Sequence, residues 1–388
     1  MRKIILSVLF FFLCSNLYSL SYNIEGNHII WSPVSESLFL YSVYGKSTGT
    51  TIWKVYDLKK KMGKTVYYGN SLLPQWSFDG KGIMFTKKNM MQMYSEEGEL
   101  KEYATSVVDL LSFDWGVKGD KITYSNGEKI YVLEIENNNN YAVVDGESPS
   151  FMDNDKKILY FDKDLKVNLV DESLKSKILI DKSVKKVFPA KVKNMFFYQT
   201  EKDIDLYDLD SEAEYRIVED ENEISSFDVS YDHDFLTYIN NKGDHFIVHI
   251  PTHLKIKMLS DKDYFAQKIS SHNTLIAFEK SGAIEIKDVR SYLDTFKLEN
   301  IFKISFGSTD GIIAGMSLEI YQEKKNPFTE KLIGYDEEGF KGAVKVIAVY
   351  KDHCFGMIDK EFSSEKTIEV GDAVLWKEKE KLARVLKK

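Results

Sequence analysis

By residue type and spacing, the best candidates for holding a metal are His245, His249 and His253. On a helix such a set shares one face and can ligate zinc. Here Pro251 interrupts the set, and Phe246-Ile247-Val248 reads as a strand. At strand rise His245 and His249 stand about 13 Å apart on one sheet face, too far for a single ion. Three acidic clusters, Asp153-Asn154-Asp155, Asp162-Lys163-Asp164 and Asp232-His233-Asp234, have the composition of calcium loops or of paired catalytic carboxylates. None has the EF-hand spacing with its closing glutamate. Two of them fall at or beside a turn, where Asp and Asn are favoured because their side chains bond nearby backbone. The sequence has no Gly-x-Ser-x-Gly elbow, no His-Glu-x-x-His pair and no Gly-rich phosphate loop. Cys354 lies in a predicted strand between His353 and Phe355, and reads as a packed small hydrophobe rather than a thiol nucleophile. No catalytic, cofactor-binding or metal-ligating residue is therefore assigned, and no cofactor is expected.

The elements that would carry these residues repeat. Pro74-Gln75-Trp76-Ser77-Phe78-Asp79-Gly80-Lys81-Gly82-Ile83-Met84-Phe85 places an aromatic residue before a short polar turn and then a strand ending in Phe. Six further segments share its register. They begin at Trp31-Ser32-Pro33, Trp115-Gly116, Pro149-Ser150-Phe151, Phe188-Pro189, Ser226-Phe227 and Ile269-Ser270. Their strands end at Tyr41, Tyr124, Tyr160, Tyr198, Tyr238 and Phe278. The leads recur roughly every 36 to 45 residues, the period of propeller blades. Asn126-Gly127 and Asn241-Lys242-Gly243 then turn each chain into a returning strand. Repeats built only of strands cannot bury their own apolar faces, so they must pack in a ring. The expected fold is an all-β propeller over residues 22–295, with seven blades, or six if the weak last copy is discounted. In the turn, Asp79 is expected to bond backbone two residues on while Gly80 takes the left-handed conformation. Trp76 and Phe85 would pack between blades, and loss of a buried Trp76 would cost about 3–5 kcal/mol. Trp53, Tyr56, Tyr67 and Tyr68 are expected mostly in the inter-blade core, with one or two free to reach the top face or the channel mouth.

The Trp-Ser-x-Asp-Gly-Lys-x-Ile-x-Phe run from Trp76 to Phe85 resembles the repeat of TolB-like propellers, with Trp31-Ser32-Pro33 a second, shorter match. The resemblance covers about residues 25 to 290. It implies a periplasmic protein that works by binding other proteins, and six blades. Ser77-Phe78-Asp79-Gly80 is superficially similar to the aspartate box of sialidases, but the glycine spacing does not fit. After residue 295 the pattern changes to alternating strands closed by Gly-Asp turns, which suggests a small antiparallel barrel over 300–376. Asp310-Gly311-Ile312, Gly315-Met316, Tyr321 and Val370-Gly371-Asp372-Ala373-Val374 resemble the C-terminal domain of flagellar assembly protein T, which implies an envelope adaptor. Residues 377–388, rich in Lys and Glu, read as a charged tail, either a solvated helix or a frayed end.

Arg2 and Lys3 followed by the apolar run Ile4 to Leu13 read as an export signal over residues 1–19, with cleavage after Ser19 and Ser21 as a second option. The run is too short to span a bilayer comfortably, so no integral span is expected in the mature chain. Cys14 raises lipidation, but Phe11-Phe12-Leu13 lack the small residue expected before a lipidated cysteine, which makes it the weaker reading. Of 388 residues 43% are hydrophobic and 29% charged, ordinary for a globular chain and unlike a disordered one. A net charge of −8 supplies no basic footprint, so nucleic acid is excluded as a partner. The sequence thus points to an exported, periplasmic, non-enzymatic scaffold that binds envelope proteins. The alternatives are a propeller lyase or hydrolase, or a glycan- or peptidoglycan-binding module.

Overall fold

The computed structural model describes residues 21–87, 89–107, 109–325, 332–359, 368–369, 372–376 and 381–386, so the export signal and Cys14 lie outside the described residues. Seven four-stranded antiparallel sheets form a closed ring, which settles the blade number at seven. In chain order the innermost strands of blades 1 to 7 are Asn27–Trp31, Gln75–Trp76, Ser112–Trp115, Glu147–Met152, Lys186–Ala190, Ile224–Val229 and Tyr264–Ile269. Six blades are built from consecutive strands. Blade 7 takes its outermost strand from the start of the described chain, where Ser21–Glu25 pairs antiparallel with Ala283–Asp288. Each blade meanders outward, so the turns between its first and second strands all fall on one face of the ring, here the lower face.

The repeat acquires its physical meaning in the second strand of each blade. The aromatic residue that the repeat places there is Tyr41, Phe85, Tyr124, Tyr160, Tyr198, Tyr238 or Phe278; each stands before the last residue of its strand, and every one of them is buried. Several of the tyrosines keep the hydroxyl satisfied at the outer strand, as Tyr124 does with Asn140 Oδ1 at 2.8 Å. The turn before it forms as the residue types predict. Asp79 Oδ1 accepts from Lys81 N at 3.1 Å and from Ser77 Oγ at 2.7 Å, while Gly80 has φ +71°. Blade 6 repeats the arrangement with Ser230, Asp232 and Asp234 N, and His233 takes the left-handed position at φ +61°. Trp76 departs from expectation because it is only half-buried; its indole N–H donates to Ile30 O of blade 1 at 3.1 Å. Trp53 is buried, Tyr67 stacks on Phe85 at 4.5 Å, and Tyr68 is exposed.

Beyond a short helix at Arg290–Asp294 the chain enters a closed six-stranded barrel of Ile301–Ile304, Ser317–Lys325, Leu332–Val349, Cys354–Ile358, Ala373–Trp376 and Lys381–Leu386. The last strand corrects the reading of residues 377–388 as a charged tail. Ala383 and Val385 point into the barrel core while Arg384 points outward, so the alternation closes the sheet between Ala373–Trp376 and Ile301–Ile304. The barrel docks under blades 5 and 6 on the lower face. Tyr350 donates its hydroxyl to Ile250 O at 3.1 Å, meets His253 Nε2 at 3.2 Å, and packs its ring 5.0 Å from that of Tyr215.

Candidate functional site: the central channel

The innermost strands surround a cavity of about 440 Å3, lined by His28 and Trp31 of blade 1, Phe188 of blade 5, Asp228 and Tyr231 of blade 6, and Lys268 of blade 7. Its charged groups are spoken for. Lys268 Nζ lies 2.8 Å from Asp228 Oδ1, and Asp228 Oδ2 accepts from Ile269 N at 3.3 Å. Burial lowers the Lys268 pKa, but Asp228 and the nearby Glu279 outweigh it and hold the ammonium above its usual range. Glu279 is buried and accepts from His28 N at 2.9 Å and Ile29 N at 3.0 Å, which fastens blade 7 to blade 1. Lys186 of blade 5 donates to Phe227 O at 2.6 Å with its ammonium 4.6 Å from the Phe227 ring centroid. Burial, reinforced by Lys268, pulls its pKa down to about 8.

The Asp228 arrangement recurs in a second place. Asp114 of blade 3 follows a phenylalanine just as Asp228 does, accepts from Phe151 N of blade 4 at 2.9 Å, and pairs with Lys191 Nζ at 2.7 Å. Each Asp thus reaches the leading residue of the next blade and neutralises a lysine. A bonding pattern that appears in two blades fastens each to the blade that follows it.

The two mouths differ. On the lower face the turn residues Phe78 of blade 2 and Tyr231 of blade 6 meet across the ring at 5.4 Å between centroids. On the upper face Leu73, Leu111 and Phe265 sit where the innermost strands of blades 2, 3 and 7 begin, and are 59%, 60% and 53% exposed. Tyr44 and Tyr68, at the upper ends of blade 1 strands, are also exposed. Aromatic and aliphatic side chains gathered on one face are what protein-binding surfaces use.

The residues first singled out for chemistry do not converge. His245 is buried against blade 7, with Nδ1 2.9 Å from Gln267 Oε1 and Nε2 3.1 Å from Asp261 O. His249 instead meets Thr252 Oγ1 at 2.7 Å, and His253 belongs to the barrel joint. The acidic clusters serve turns. Asp155 accepts from Val117 N and Lys118 N of the neighbouring blade at 2.7 and 2.9 Å, and Asp162 Oδ1 accepts from Asp164 N and Lys166 N. Cys354 is buried in the barrel core, where burial pushes its thiol pKa up to about 12. Sequence reasoning missed the channel fasteners. Their signal is a polar residue directly after the strand-ending aromatic, as in Tyr198-Gln199 and Phe278-Glu279, together with the repeated Phe-Asp pair at 113–114 and 227–228.

Fold and channel together define a seven-bladed β-propeller protein with an appended barrel. Solved structures agree on the propeller, which they match over about 70% of this chain. An oligogalacturonate lyase in complex with manganese superposes with a TM-score of 0.57 at 9% identity, covering 69% of this chain and 90% of that one. A Vibrio parahaemolyticus oligogalacturonate lyase gives 0.57 at 10% identity, with 70% and 97% covered. The Myceliophteria thermophila Cps50 (Swd1) β-propeller domain gives 0.57 at 11% identity, with 70% and 99% covered. Identities this low carry the fold alone. No protein family matches the sequence, and no curated protein matches it.

Proposed function

We propose that this protein is an exported scaffold of the bacterial envelope that binds protein partners through the upper face of its propeller. The observation that carries the reading is the set of exposed apolar side chains Leu73, Leu111 and Phe265 around the upper mouth, above a channel whose acids are tied to backbone and lysine. The barrel docks on the lower face at blades 5 and 6, on the side away from this collar. The TolB-like repeat of Trp76 to Phe85 and the apolar N-terminal run add the periplasmic setting, although seven blades depart from the six that the resemblance implies. The test is capture from envelope extracts on immobilised folded protein and on its Leu73→Asp/Phe265→Asp variant. A specific protein held by the first and released by the second supports the reading. Empty capture, or capture indifferent to the variant, sinks it.

One observation favours a second reading, an enzyme or a glycan-binding site in the channel. Lys186, with its pKa near 8, stands close to Asp228 and Lys268 on three successive blades. Titration calorimetry with acidic and neutral oligosaccharides, followed by product analysis, separates the readings, since saturable heat lost on Lys186→Met would belong to the channel.

A further inference from the structure

The seam between blades 1 and 2 buries a small core among the described residues. Its core holds four buried residues, Leu40, Trp53, Ile83 and Phe85, with Ile30, Val55, Val66, Tyr67, Trp76 and Tyr94 only partly covered. The seam between blades 5 and 6 buries thirteen. What remains open between blades 1 and 2 is a groove of about 390 Å3, with Val55, Val66, Trp76 and Tyr94 on its floor. Its rim is basic. Lys60, Lys64 and Lys81 line it against Asp57 and Glu96, and the adjoining hairpin exposes Lys59 and Lys61 as well. Lys60 already pairs with Asp57 at 3.3 Å, and the Lys64 ammonium lies 5.7 Å from the Tyr94 ring centroid. This concentration of lysine runs against a chain whose net charge is −8. The corresponding groove between blades 3 and 4 is smaller, about 220 Å3, and carries the opposite balance: Lys121 and Lys156 against Asp155, Asp171 and Glu172.

We propose that the groove between blades 1 and 2 binds a short extended segment of a partner protein, in which one or two apolar side chains are flanked by acidic residues. The apolar side chains lie on Val55, Val66, Trp76 and Tyr94, and the carboxylates face Lys60, Lys64 and Lys81. The groove runs outward from the innermost strand at Trp76 to the outermost at Met62. Crossing four strands spaced about 4.8 Å apart gives a length of about 14 Å, which is roughly four extended residues. A peptide of that length matches the groove in size, polarity and charge. The groove opens on the lower face, so it is separate from the upper collar and does not depend on the reading built on it.

The test pans a displayed library of random octapeptides on the full chain, then measures synthetic hits by fluorescence anisotropy. Hits are expected to carry Asp or Glu on either side of Leu, Ile, Phe or Trp. Their affinity should fall at least tenfold in Lys60→Glu/Lys64→Glu/Lys81→Glu. It should hold in Lys121→Glu/Lys156→Glu and in Leu73→Asp/Phe265→Asp. The exposed single change Lys64→Glu, expected to weaken binding severalfold, stands in should the triple variant not fold. Absence of enriched peptides, enrichment of basic ones, or hits indifferent to the lysine reversals would overturn the proposal. So would a triple variant that loses binding only to vesicles containing anionic lipid, which would assign the lysines to a membrane surface.

Discussion

Glu279 is where the ring's closure can be weighed. Its two carboxylate oxygens accept from His28 N and Ile29 N across the seam between the last blade and the first, and it is 3% exposed. Hydrogen bonds to a charged acceptor contribute about 1.5–3 kcal/mol each, and a buried donor left without an acceptor costs about 1–3 kcal/mol. Glu279→Ala orphans both amides, so it should cost about 3–5 kcal/mol in total. Glu279→Gln keeps one acceptor oxygen but turns an amide donor toward the second N–H, for about 1.5–3 kcal/mol. Urea unfolding followed by tryptophan emission reads both values from the midpoint at constant slope. Hydrogen exchange should show Asn27–Trp31 and Ala283–Asp288 losing protection before other strands. An alanine variant within 1 kcal/mol of wild type, or exchange spread evenly around the ring, would refute the idea that this carboxylate locks the seam.

Further outcomes follow from other sites. Tyr350→Phe removes a hydroxyl bonded to Ile250 O and His253, and should loosen the barrel from blade 6 by about 1–3 kcal/mol, seen as a lowered barrel transition in calorimetry. Burial holds His233 and His253 at a pKa of about 4, so both are neutral in the folded protein near pH 6. Because the unfolded chain takes up these protons first, stability should be intact above about pH 6.5 and fall steadily as the pH drops toward 4, with His253→Gln flattening the slope. Trp76→Phe should cost about 1–2 kcal/mol rather than the full penalty of a buried indole, since the side chain is half-exposed and loses one bond to Ile30 O. Cys354, buried and with its pKa pushed up to about 12, should resist thiol reagents at pH 8 in the native state and react at once in urea.

The ring was legible because its determinants are local. An aromatic residue, a polar turn and a strand carrying Phe or Tyr lie within about a dozen residues, so most copies can be read one at a time and only the last is weak. The barrel strands Cys354–Ile358 and Ala373–Trp376 are likewise short, continuous apolar runs that can be read locally. The rest depends on neighbours distant in the chain. Nothing near Glu279 says that its partners are the amides of residues 28 and 29. Asp114 and Asp228 look like any strand aspartates until the next blade is placed beside them. The last barrel strand hid behind the lysine-glutamate run preceding it, although Ala383 and Val385 already carried the period of two. The histidines were a local question as well: spacing that suits a helix means little on a strand ending in a 3-10 turn, and the strand was readable from Phe246-Ile247-Val248.

The pairing of Ser21–Glu25 with Ala283–Asp288 bears on how the molecule is made. The first described strand to leave the ribosome is the last of the ring to find its place, and must wait for a partner synthesised some 260 positions later. Until then blade 7 has an uncovered edge and the circle remains a horseshoe. Trimming, tagging or occluding those five residues would therefore act at a distance, unzipping the molecule at one radial line while leaving six blades chemically untouched. A cut falling within residues 21–25 would thereby decide whether the circle can shut.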